Sequence, residues 1–413
     1  MNMDYLLKRG VAEVIVAEEM DKLLQSGKKL RLKEGFDPST PDIHLGHMVT
    51  LRKLRQFQEL GHQIVVIVAD WTARIGDPSG ASITRPMLSE EQVLSNARTY
   101  MEQFFRIVDK EKTEIRWQSE WFDKFTLTNV IRLTSGFTVA QFLAREDFSK
   151  RYNSGQPIAL TEFLYPLLQA YDSVAIQADV EFGGIDQKFN FLVGRELQSM
   201  MGQPPQQCFM TPLLVGTDGS KKMSQSLGNY IGVAEPPDEQ YGKVMSITDS
   251  LIMDYFELLT DVPDKELAEF RQALASDAIN PMELKKRLAR EIVTQLYDQK
   301  AASKAEEQFE KVFQKRKVPD EIFEIRIRFT DYATPTSEKT LRPDTFDISY
   351  LLVKTGQAKS RSAASRLIAQ GAVSIDGGKI TGNIAPVRSG SIIKVGKRRF
   401  AKVINSDIIN NKH

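Results

Sequence analysis

The stretch LRLKEGFDPSTPDIHLGHM, residues 30–48, joins a strand-like run to the beginning of a helix through a long polar turn. Residues 30–36 have the composition of a β-strand, and a helix is predicted from about residue 46 to residue 60. In an open α/β sheet, such a turn lies at the carboxyl edge, where unpaired backbone N–H groups and the helix dipole favour phosphate. The stretch therefore predicts a parallel sheet and a binding place for an anionic ligand.

The alternation of strands and helices continues to residue 215. The run IVVIVA, residues 64–69, is apolar without alternation, as expected for a central strand that is buried on both faces. The predicted strands are 30–36, 63–70, 114–118, 179–182 and 208–215, and the predicted helices are 46–60, 90–107, 127–144, 161–177 and 186–200. This pattern predicts an α/β fold, a Rossmann-like parallel sheet in a catalytic domain of residues 1–233.

Three further segments follow this domain. Residues 234–330 are highly charged, have helical periodicity and contain no strand-like run, which predicts an α-helical domain. Residues 331–346, DYATPTSEKTLRPDTF, are polar with two prolines and predict a linker. Residues 347–405 predict a small α+β domain, in which short strands are joined by turns such as Asp376–Gly378.

Charge is distributed unevenly along the chain. The 413 residues carry a net charge of +1, which taken alone indicates no partner. Residues 345–413, however, carry 12 Lys and Arg against 3 Asp and Glu, and the rest of the chain carries 43 against 51. This basic end predicts an anionic polymer as a partner, although a solvated lysine-rich tail would have the same balance.

Composition argues against several classes of protein. The sequence contains no run of 18 or more apolar residues, so we expect no transmembrane helix and no membrane partner. Acidic residues within the first 20 positions fit neither a secretory signal nor a transit peptide. The single cysteine, Cys208, leaves a cysteine-rich zinc site without ligands. We therefore expect a soluble, cytoplasmic protein without a resident metal.

Two of the four histidines, His44 and His47, lie in the turn within residues 35–48. Their spacing of three places both on one side of the first helical turn, and Gly46 leaves room for a ligand near the backbone. One histidine that caps the helix and one that packs would be the alternative without a ligand. The interpretation as a metal site has less support than either, because the nearby sequence supplies no third ligand.

A second candidate element is the loop LLVGTDGSKKMSQSLGN, residues 213–229. Its glycines predict mobility, and Lys221 and Lys222 place positive charge in it. It lacks the GxxxxGK[ST] pattern of a Walker loop, and the absence of any GxG removes the dinucleotide-binding fingerprint. Taken alone, the loop would be interpreted as a surface loop with solvated lysines.

Taken together, HLGH at 44–47 and KMSQS at 222–226 resemble the two signatures of the class I aminoacyl-tRNA synthetases, HIGH and KMSKS. Four segments resemble, within that family, the bacterial tyrosyl-tRNA synthetases with a KMSKS-type loop: GFDPSTPDIHLGH, IGDPSG (75–80), YPLLQAYD (165–172) and GGIDQKFN (183–190). The segment KSRSAASRLIAQGAVSIDG, residues 359–377, resembles the small RNA-binding domain that these enzymes share with a small-subunit ribosomal protein.

This resemblance implies the reaction of a tyrosine–tRNA ligase. ATP activates tyrosine to tyrosyl-adenylate and pyrophosphate, and tyrosine is then transferred to the 3′ end of tRNA(Tyr). Because negative charge builds on the α-phosphate, positioning and electrostatic stabilisation are the main tasks of the protein. The implied partners are tyrosine, ATP with Mg²⁺, tRNA(Tyr) and a second copy of the chain in a homodimer, with residues 234–330 on the anticodon side.

The resemblance also assigns roles to single residues. Catalytic roles are implied for Ser39, His44, His47, Lys222 and Gln225. ATP binding is implied for Asp37, His44, Gly46, His47, Gly184, Asp186, Lys222, Met223 and Ser224. Tyrosine binding is implied for Thr72, Asp77, Tyr165, Gln169, Asp172 and Gln187. RNA binding is implied for Lys359, Arg361, Arg366, Lys397, Arg398 and Arg399.

Within the tyrosine set, Tyr165, Gln169 and Asp172 are spaced four and three apart and share one face of a helix. By resemblance, Tyr165, Gln169 and Asp77 meet the α-amino group of the substrate. Asp172 accepts its phenolic hydroxyl, and a buried acceptor of this kind penalises phenylalanine, which would leave it unpaired.

Two residues depart from the family pattern. Lys33 stands where these enzymes often have a tyrosine that helps to hold the substrate hydroxyl. Gln225 stands in place of the second lysine of KMSKS, so that a cation near the departing pyrophosphate is missing unless Lys221 compensates. One alternative is therefore a catalytically weakened paralogue that acts as an RNA-binding or regulatory protein. Another is a tryptophanyl relative, against which the GDPSG and YPLLQAYD segments argue.

Overall fold

The computed structural model describes residues 3–39, 42–76, 88–311, 324–329, 345–396 and 399–407. The chain divides into two compact units, Met1–Glu306 and Glu307–His413. None of the helices in these described ranges has the length and apolarity needed to cross a bilayer.

The first unit is built on a six-stranded sheet. Its strands are β1 (Glu13–Ile15), β2 (Arg31–Phe36), β3 (Gln63–Val68), β4 (Thr113–Trp117), β5 (Val180–Gly184) and β6 (Gln207–Thr211). The order across the sheet is β1-β6-β5-β2-β3-β4, with β2 to β6 mutually parallel and β1 antiparallel to β6 at the edge. The predicted Rossmann-like parallel sheet is confirmed, and the apolar strand β3 lies inside it.

Helices cover the sheet and continue beyond it. Those that accompany the strands are α1 (Met3–Lys8), α2 (Ala17–Gln25), α3 (Leu45–Glu59), α4 (Thr72–Ile75), α5 (Glu90–Phe104), α6 (Ser119–Phe122), α7 (Leu127–Ser135), α8 (Val139–Leu143), α9 (Glu146–Asn153), α10 (Leu160–Ile176) and α11 (Lys188–Met200). The helices that follow are α12 (Pro237–Met245), α13 (Ile252–Leu259), α14 (Asp264–Ala275), α15 (Pro281–Leu296) and α16 (Gln299–Phe309).

Three of the differences from the sequence prediction have a local cause. The helix predicted over 127–144 is two helices, because Thr138 begins α8 by accepting the N–H of Gln141 over 3.3 Å. The strand predicted over 208–215 ends at Thr211, because the following Pro212 has no N–H for a ladder. Strand β1 was not predicted, because three residues at a sheet edge give too short a pattern.

The helices α12 to α16 pack on the sheet domain within the first unit. Two of them begin with a proline at the first helical position, where the missing N–H costs nothing. The hydroxyl of Tyr255 donates to the carbonyl of Val215 over 2.6 Å, and Arg52 donates to Asp261 over 2.6 Å. The domain boundary expected at residues 233 and 234 therefore lies inside one compact unit.

The second unit is a small α+β structure, as predicted. Its elements are β7 (Glu324–Ile327), β8 (Thr345–Asp347), α17 (Ile348–Lys354), α18 (Arg361–Ala369), β9 (Val373–Ile375), β10 (Gly378–Lys379), β11 (Ile384–Pro386), β12 (Ile392–Val395) and β13 (Arg399–Asn405). One sheet has the order β10-β9-β12-β13-β7, and β11 pairs with β8. Asp376 and Gly377 turn the chain between β9 and β10 with φ of 49° and 85°.

Strand β7 corrects the expectation that residues 234–330 contain only helices. Its four residues pair in parallel with β13, so that Ile325 lies opposite Val403. A strand of this length becomes ordered by a partner that is distant in sequence, which a local pattern does not reveal. The predicted linker, 331–346, lies outside the described residues up to residue 344, and its last two residues belong to β8.

Candidate active site

The candidate site lies at the carboxyl edge of the first sheet, where β2 and β5 are neighbours. Because β3 and β4 extend the sheet on one side of β2, and β5 and β6 on the other, the chain connections diverge there and leave a crevice. Asp37 follows β2, and Asp186 lies in a single turn of 3-10 helix, Ile185–Gln187, directly after β5. The fold thus places a carboxylate at each side of the crevice.

His44 and His47 stand at the beginning of α3. The backbone N–H of His44 donates to Nδ1 of His47 over 3.2 Å, and the two rings stack with centroids 3.9 Å apart. Burial lowers the pKa of His44 to about 2 and the pKa of His47 to about 4. Both imidazoles are therefore neutral at pH 7, and they offer a ligand hydrogen-bond donors but no positive charge.

Gly46 allows close packing between these histidines and the loop 213–229. A Cβ atom on Gly46 would lie 2.9 Å from the ring of His44 and 3.6 Å from Cβ of Met223. A larger residue would displace the ring of His44, whereas the distance to Met223 is an ordinary van der Waals contact. The glycine is thus required by the position of the His44 ring.

Loop 213–229 supplies the cation of the site. Nζ of Lys222 lies 3.0 Å from the carboxylate of Asp186. The loop is held in this arrangement by Asn229, whose side chain accepts the N–H of Ser224 over 2.8 Å and donates to the carbonyl of Lys222 over 3.1 Å. Positive charge therefore enters the crevice through Lys222, beside two neutral histidines.

Gln225 joins this loop to the turn that precedes α3. Its Nε2 donates to the carbonyl of Asp42 over 2.7 Å. The neighbouring cation, Lys221, has an exposed side chain, and its backbone N–H donates to Asp218 over 3.1 Å. Gln225 therefore provides a neutral hydrogen bond at the position where the family pattern has a lysine.

Asp37 connects three elements around the crevice. One oxygen accepts the hydroxyl of Thr72 over 2.7 Å, and the other accepts the hydroxyl of Tyr165 over 2.7 Å. The backbone N–H of Thr72 donates to Oε1 of Gln118 over 2.9 Å. Residues that were assigned separately to ATP and to tyrosine thus belong to one network, which joins the ends of β2 and β4 to α10.

Asp172 lies deep in the first unit on α10, with 2% of its surface exposed. Its two carboxylate oxygens accept Nε2–H of Gln118 over 2.8 Å and Nε1–H of Trp121 over 3.2 Å. Burial raises the pKa of Asp172 to about 7, although Lys33 acts in the opposite direction. Each oxygen keeps a free lone pair, so the carboxylate can accept one more buried donor.

Gln169 lies one turn before Asp172 on the same face of α10. Its Oε1 accepts Nδ2–H of Asn190 over 2.9 Å, and the same Asn190 amide donates to Oε1 of Gln187 over 2.9 Å. Tyr165 lies one turn further back. We refer to Tyr165, Gln169 and Asp172 as the α10 pocket.

The structure places most of the expected residues in the sets of contacts described above, at the ends of β2 and β5, on α10 and in loop 213–229. They are Asp37, His44, Gly46, His47, Thr72, Tyr165, Gln169, Asp172, Gly184, Asp186, Gln187, Lys222, Met223, Ser224 and Gln225. Ser39 lies in the turn after β2 and is partly exposed, while Asp77 lies outside the described residues.

Among the residues that hold the site, Gln118, Asn190 and Trp121 were not predicted from the sequence. Gln118 closes the predicted strand 114–118, and its place at the carboxyl edge was a usable signal. Asn190 is the last residue of the GGIDQKFN segment, which was a second signal. Nothing in the sequence pattern indicated Trp121, because its contact with Asp172 depends on how α6 packs.

The second unit carries the residues expected to bind RNA. Ser360 begins α18 by accepting the N–H of Ala363 over 3.2 Å. Arg361 forms an ion pair with Asp347, and its guanidinium lies 5.8 Å from the ring centroid of Tyr350. Arg361 is therefore already in contact with protein groups, although its side chain is 63% exposed.

The other expected RNA-binding residues differ in their environment. Lys359 and Arg366 are exposed on either side of Arg361, and Arg399 donates to the carbonyl of Gln357. Lys397 and Arg398 lie outside the described residues. We refer to Lys359, Arg361, Arg366 and Arg399 as the basic surface of the second unit.

Comparison with known proteins agrees with both units. The family model for tRNA synthetases class I (W and Y) matches residues 25–314, and the S4 domain model matches residues 348–393. The chain is 61% identical over 402 residues to the tyrosine–tRNA ligase of Dehalococcoides mccartyi (strain CBDB1), covering 97% of this chain and 98% of that relative. It is 50% identical over 401 residues to the tyrosine–tRNA ligase of Thermotoga maritima, covering 96% of each.

Solved structures show the same fold over about three quarters of the chain. The tyrosyl-tRNA synthetase of Archaeoglobus fulgidus, complexed with L-tyrosine, has a TM-score of 0.58 at 26% identity and covers 73% of this chain and 97% of its own. A C-terminally truncated mitochondrial tyrosyl-tRNA synthetase of Aspergillus nidulans has a TM-score of 0.61 at 20% identity, covering 75% and 93%. The chain belongs to the class I tRNA synthetases (W and Y).

Proposed function

We propose that this chain is a tyrosine–tRNA ligase, which forms tyrosyl-adenylate from tyrosine and ATP and then transfers tyrosine to tRNA(Tyr). The observation that carries the proposal is the buried carboxylate of Asp172, held by Gln118 and Trp121 on the face of α10 that also carries Gln169. The near-full-length identity to tyrosine–tRNA ligases supports it and gives no support to a weakened paralogue or a tryptophanyl relative.

Tyrosine selection follows from the chemistry of the α10 pocket. The ionised carboxylate of Asp172 accepts the phenolic hydroxyl, in addition to the donors from Gln118 and Trp121. Phenylalanine would bury this carboxylate with no hydroxyl donor against it, and an indole would present its N–H at a different depth. Gln169 and Tyr165 face the α-amino group, a role that the resemblance also assigns to Asp77, while Gln187 and Thr72 complete the pocket.

ATP binding follows from the crevice between β2 and β5. The neutral rings of His44 and His47 donate hydrogen bonds to the phosphates, and Lys222 leaves Asp186 to neutralise the charge that builds during activation. Asp186, freed from the lysine, accepts from the ribose. Asp37, Ser39, Gly46, Gly184, Met223 and Ser224 line the nucleotide, and Gln225 holds the loop above it.

Mg²⁺ is proposed to arrive with the nucleotide. Among the residues that the structure describes, no group of three or more His, Cys, Asp or Glu side chains could hold a metal ion. Mg²⁺ keeps several waters and needs only one or two protein carboxylates beside phosphate oxygens. The phosphates and water would hold the ion, which would supply neutralisation of the pyrophosphate charge.

A homodimer is proposed from an apolar surface of the first unit. Four large apolar side chains of α7, α8 and α10 are 59–83% exposed: Leu127, Ile131, Val139 and Leu160. Large apolar side chains in contact with water indicate a protein partner, and a second copy of this chain is the partner implied by the resemblance. Sedimentation equilibrium tests it, and a monomer at micromolar concentration would contradict it.

The remaining proposals concern tRNA(Tyr) and the compartment. We assign the basic surface of the second unit to tRNA backbone contacts and the helices α12 to α16 to the anticodon side. A cytoplasmic location follows from this function, since translation takes place there.

Tyrosine-dependent exchange of pyrophosphate into ATP tests the function. We expect exchange with tyrosine, weak competition by tryptophan and phenylalanine, and charging of tRNA(Tyr) by the same preparation. A folded protein without exchange would exclude the enzyme and leave the RNA-binding paralogue as the explanation. Exchange that depends on tryptophan would instead identify the tryptophanyl relative.

A further inference from the structure

Lys33 and Glu181 form a buried ion pair in the middle of the first sheet. They are direct neighbours in the parallel pairing of β2 with β5. Nζ of Lys33 lies 2.8 Å from Oε1 of Glu181, and the two side chains are 0% and 2% exposed. On the same face, the flanking positions of the outer strands are the buried Cys208 and Val65, so water has no access from either side.

The ammonium group of Lys33 has no donor left for a substrate. Besides Glu181, it donates to the carbonyl of Gln169 over 2.7 Å and to the hydroxyl of Ser173 over 2.8 Å. An ammonium group has three hydrogens, and these three partners use all of them. Lys33 therefore does not replace, as a direct ligand, the tyrosine that many relatives have at this position.

Glu181 is bound to the α10 pocket through Gln169. Its Oε1 accepts Nε2–H of Gln169 over 3.1 Å, and its Oε2 accepts from Gln206. A carboxylate only accepts hydrogen bonds, so the amide group that faces it must be the NH₂ of Gln169. The carbonyl oxygen of Gln169 is thereby turned toward Asn190, which uses one of its two lone pairs.

We propose that the Lys33–Glu181 pair is a positioning device for substrate recognition, which fixes the Gln169 side chain with its oxygen toward the α-ammonium group of tyrosine. Lys33 balances the charge of Glu181 in a dry environment, and Glu181 excludes the flipped amide, which would present an NH₂ group to the ammonium. The inference rests on the proposed function, because it assigns to Gln169 the contact with the α-amino group.

The test compares two ligands that differ only in the α-amino group. They are L-tyrosine and its desamino analogue, 3-(4-hydroxyphenyl)propionate, and their Kd values are measured by calorimetry on the full chain without ATP. In Glu181→Gln the side chain that faces Gln169 can donate as well as accept, so only the bond from Asn190 still favours one orientation of the Gln169 amide. We expect the Kd of tyrosine to rise about tenfold, the size of one lost charge-assisted hydrogen bond. The Kd of the desamino analogue should stay within about twofold.

A double variant separates positioning from support of the fold. Each single substitution, Lys33→Met or Glu181→Gln, leaves one buried group without its partner and lowers the Tm. The combination Lys33→Met with Glu181→Gln contains no charge at this place, so the Tm should recover. The Kd ratio of the two ligands should remain altered, because no carboxylate orients Gln169.

A matched control is Glu306→Gln, which removes the partner of Arg290 between α15 and α16. Arg290 donates to both carboxylate oxygens of Glu306 over 2.9 Å, and the side chains of the pair are 43% and 18% exposed. We expect a lower Tm and an unchanged Kd ratio.

Two results would overturn the inference: an equal change of both Kd values in Glu181→Gln, or recovery of the ratio together with the Tm in the double variant. Either result would leave the proposed function intact, as long as the wild-type protein performs tyrosine-dependent exchange. Absence of both tyrosine binding and exchange in the wild type would refute the function itself.

Discussion

The α10 pocket of the first unit and the basic surface of the second unit differ in the exposure of their charged side chains. Around the pocket, charged and polar groups are buried and each has fixed partners, as with the 0% and 2% exposed side chains of Lys33 and Glu181. On the basic surface, Arg361 is 63% exposed even in its ion pair with Asp347. The effect of a buried group therefore depends on its own hydrogen bonds and ion pairs. Exposed charges instead contribute jointly to the electrostatic potential of the surface, which salt screens.

Removing the second unit is the strongest test of this difference between the α10 pocket and the basic surface. Because β7 belongs to the second sheet, the cut should precede residue 324, and we choose a chain that ends at residue 311. Tyrosine-dependent exchange should stay within about threefold, while charging of tRNA(Tyr) should fall about 100-fold through lost phosphate contacts. Equal loss of both activities would show that the second unit also supports the α10 pocket.

Within the pocket, Asp172→Asn should have the largest effect of a single substitution. The amide NH₂ would face a donor of Gln118 or Trp121, and one acceptor for the phenolic hydroxyl would be lost. We expect kcat/KM for tyrosine in exchange to fall about 100-fold, with little change in KM for ATP. The control Asp254→Asn, at an exposed position of α13, should leave both constants unchanged. Unchanged kcat/KM in Asp172→Asn would show that another group accepts the hydroxyl.

The pH dependence of kcat/KM for tyrosine should follow the ionisation of the Asp172 carboxylate. Burial raises the pKa of Asp172 to about 7, and only the ionised form accepts the phenolic hydroxyl. The kcat/KM for tyrosine should therefore fall about tenfold per pH unit below 7 and level off above it. A flat profile between about pH 5.5 and 8 would contradict this assignment.

The same pKa shift affects stability with the opposite sign. The folded state holds the proton of Asp172 more tightly than the unfolded chain does, because the pKa rises from 3.8 to about 7 on folding. Through this group, the free energy of unfolding is highest below pH 3.8 and decreases as the pH rises to about 7. Asp172→Asn should remove this decrease, which urea unfolding at several pH values can measure.

Gln225→Lys should have a smaller effect, because it restores one cation beside Lys222. The new ammonium can still donate to the carbonyl of Asp42, so the loop keeps its contact with the turn before α3. We expect exchange to accelerate about three- to tenfold. The control Gln225→Met removes the hydrogen bond without adding charge and should slow exchange. An unchanged rate in Gln225→Lys would mean that another cation already serves the pyrophosphate.

The smallest effect is expected for single charges of the basic surface. Arg366→Gln should raise the KM for tRNA(Tyr) about two- to threefold and reduce the slope of log KM against log salt by about 1. Exchange should not change. Lys112→Gln, at an exposed position of the first unit, is the control. A tenfold effect of Arg366→Gln would show that this arginine acts individually, like the groups of the α10 pocket.

Much of the first unit was accessible from local sequence patterns. Strands β2 to β5 begin and end within two residues of their predicted positions, because strand periodicity and turn chemistry involve neighbouring residues. The shared face of Tyr165, Gln169 and Asp172 follows from helical spacing alone. Strand β7 and the division into α7 and α8 were missed, because distant pairing and a single cap decide them.

Motif chemistry and helix geometry were thus contained in the order of the residues, including the place of His44 and His47 in the turn at the beginning of α3. The fold decided the charge states, since burial keeps both histidines neutral and brings the pKa of Asp172 to about 7. It also gave Lys33 its partner, because the parallel pairing of β2 with β5 brings Glu181 beside it. Burial and long-range pairing depend on the packing of whole elements, which no local pattern specifies.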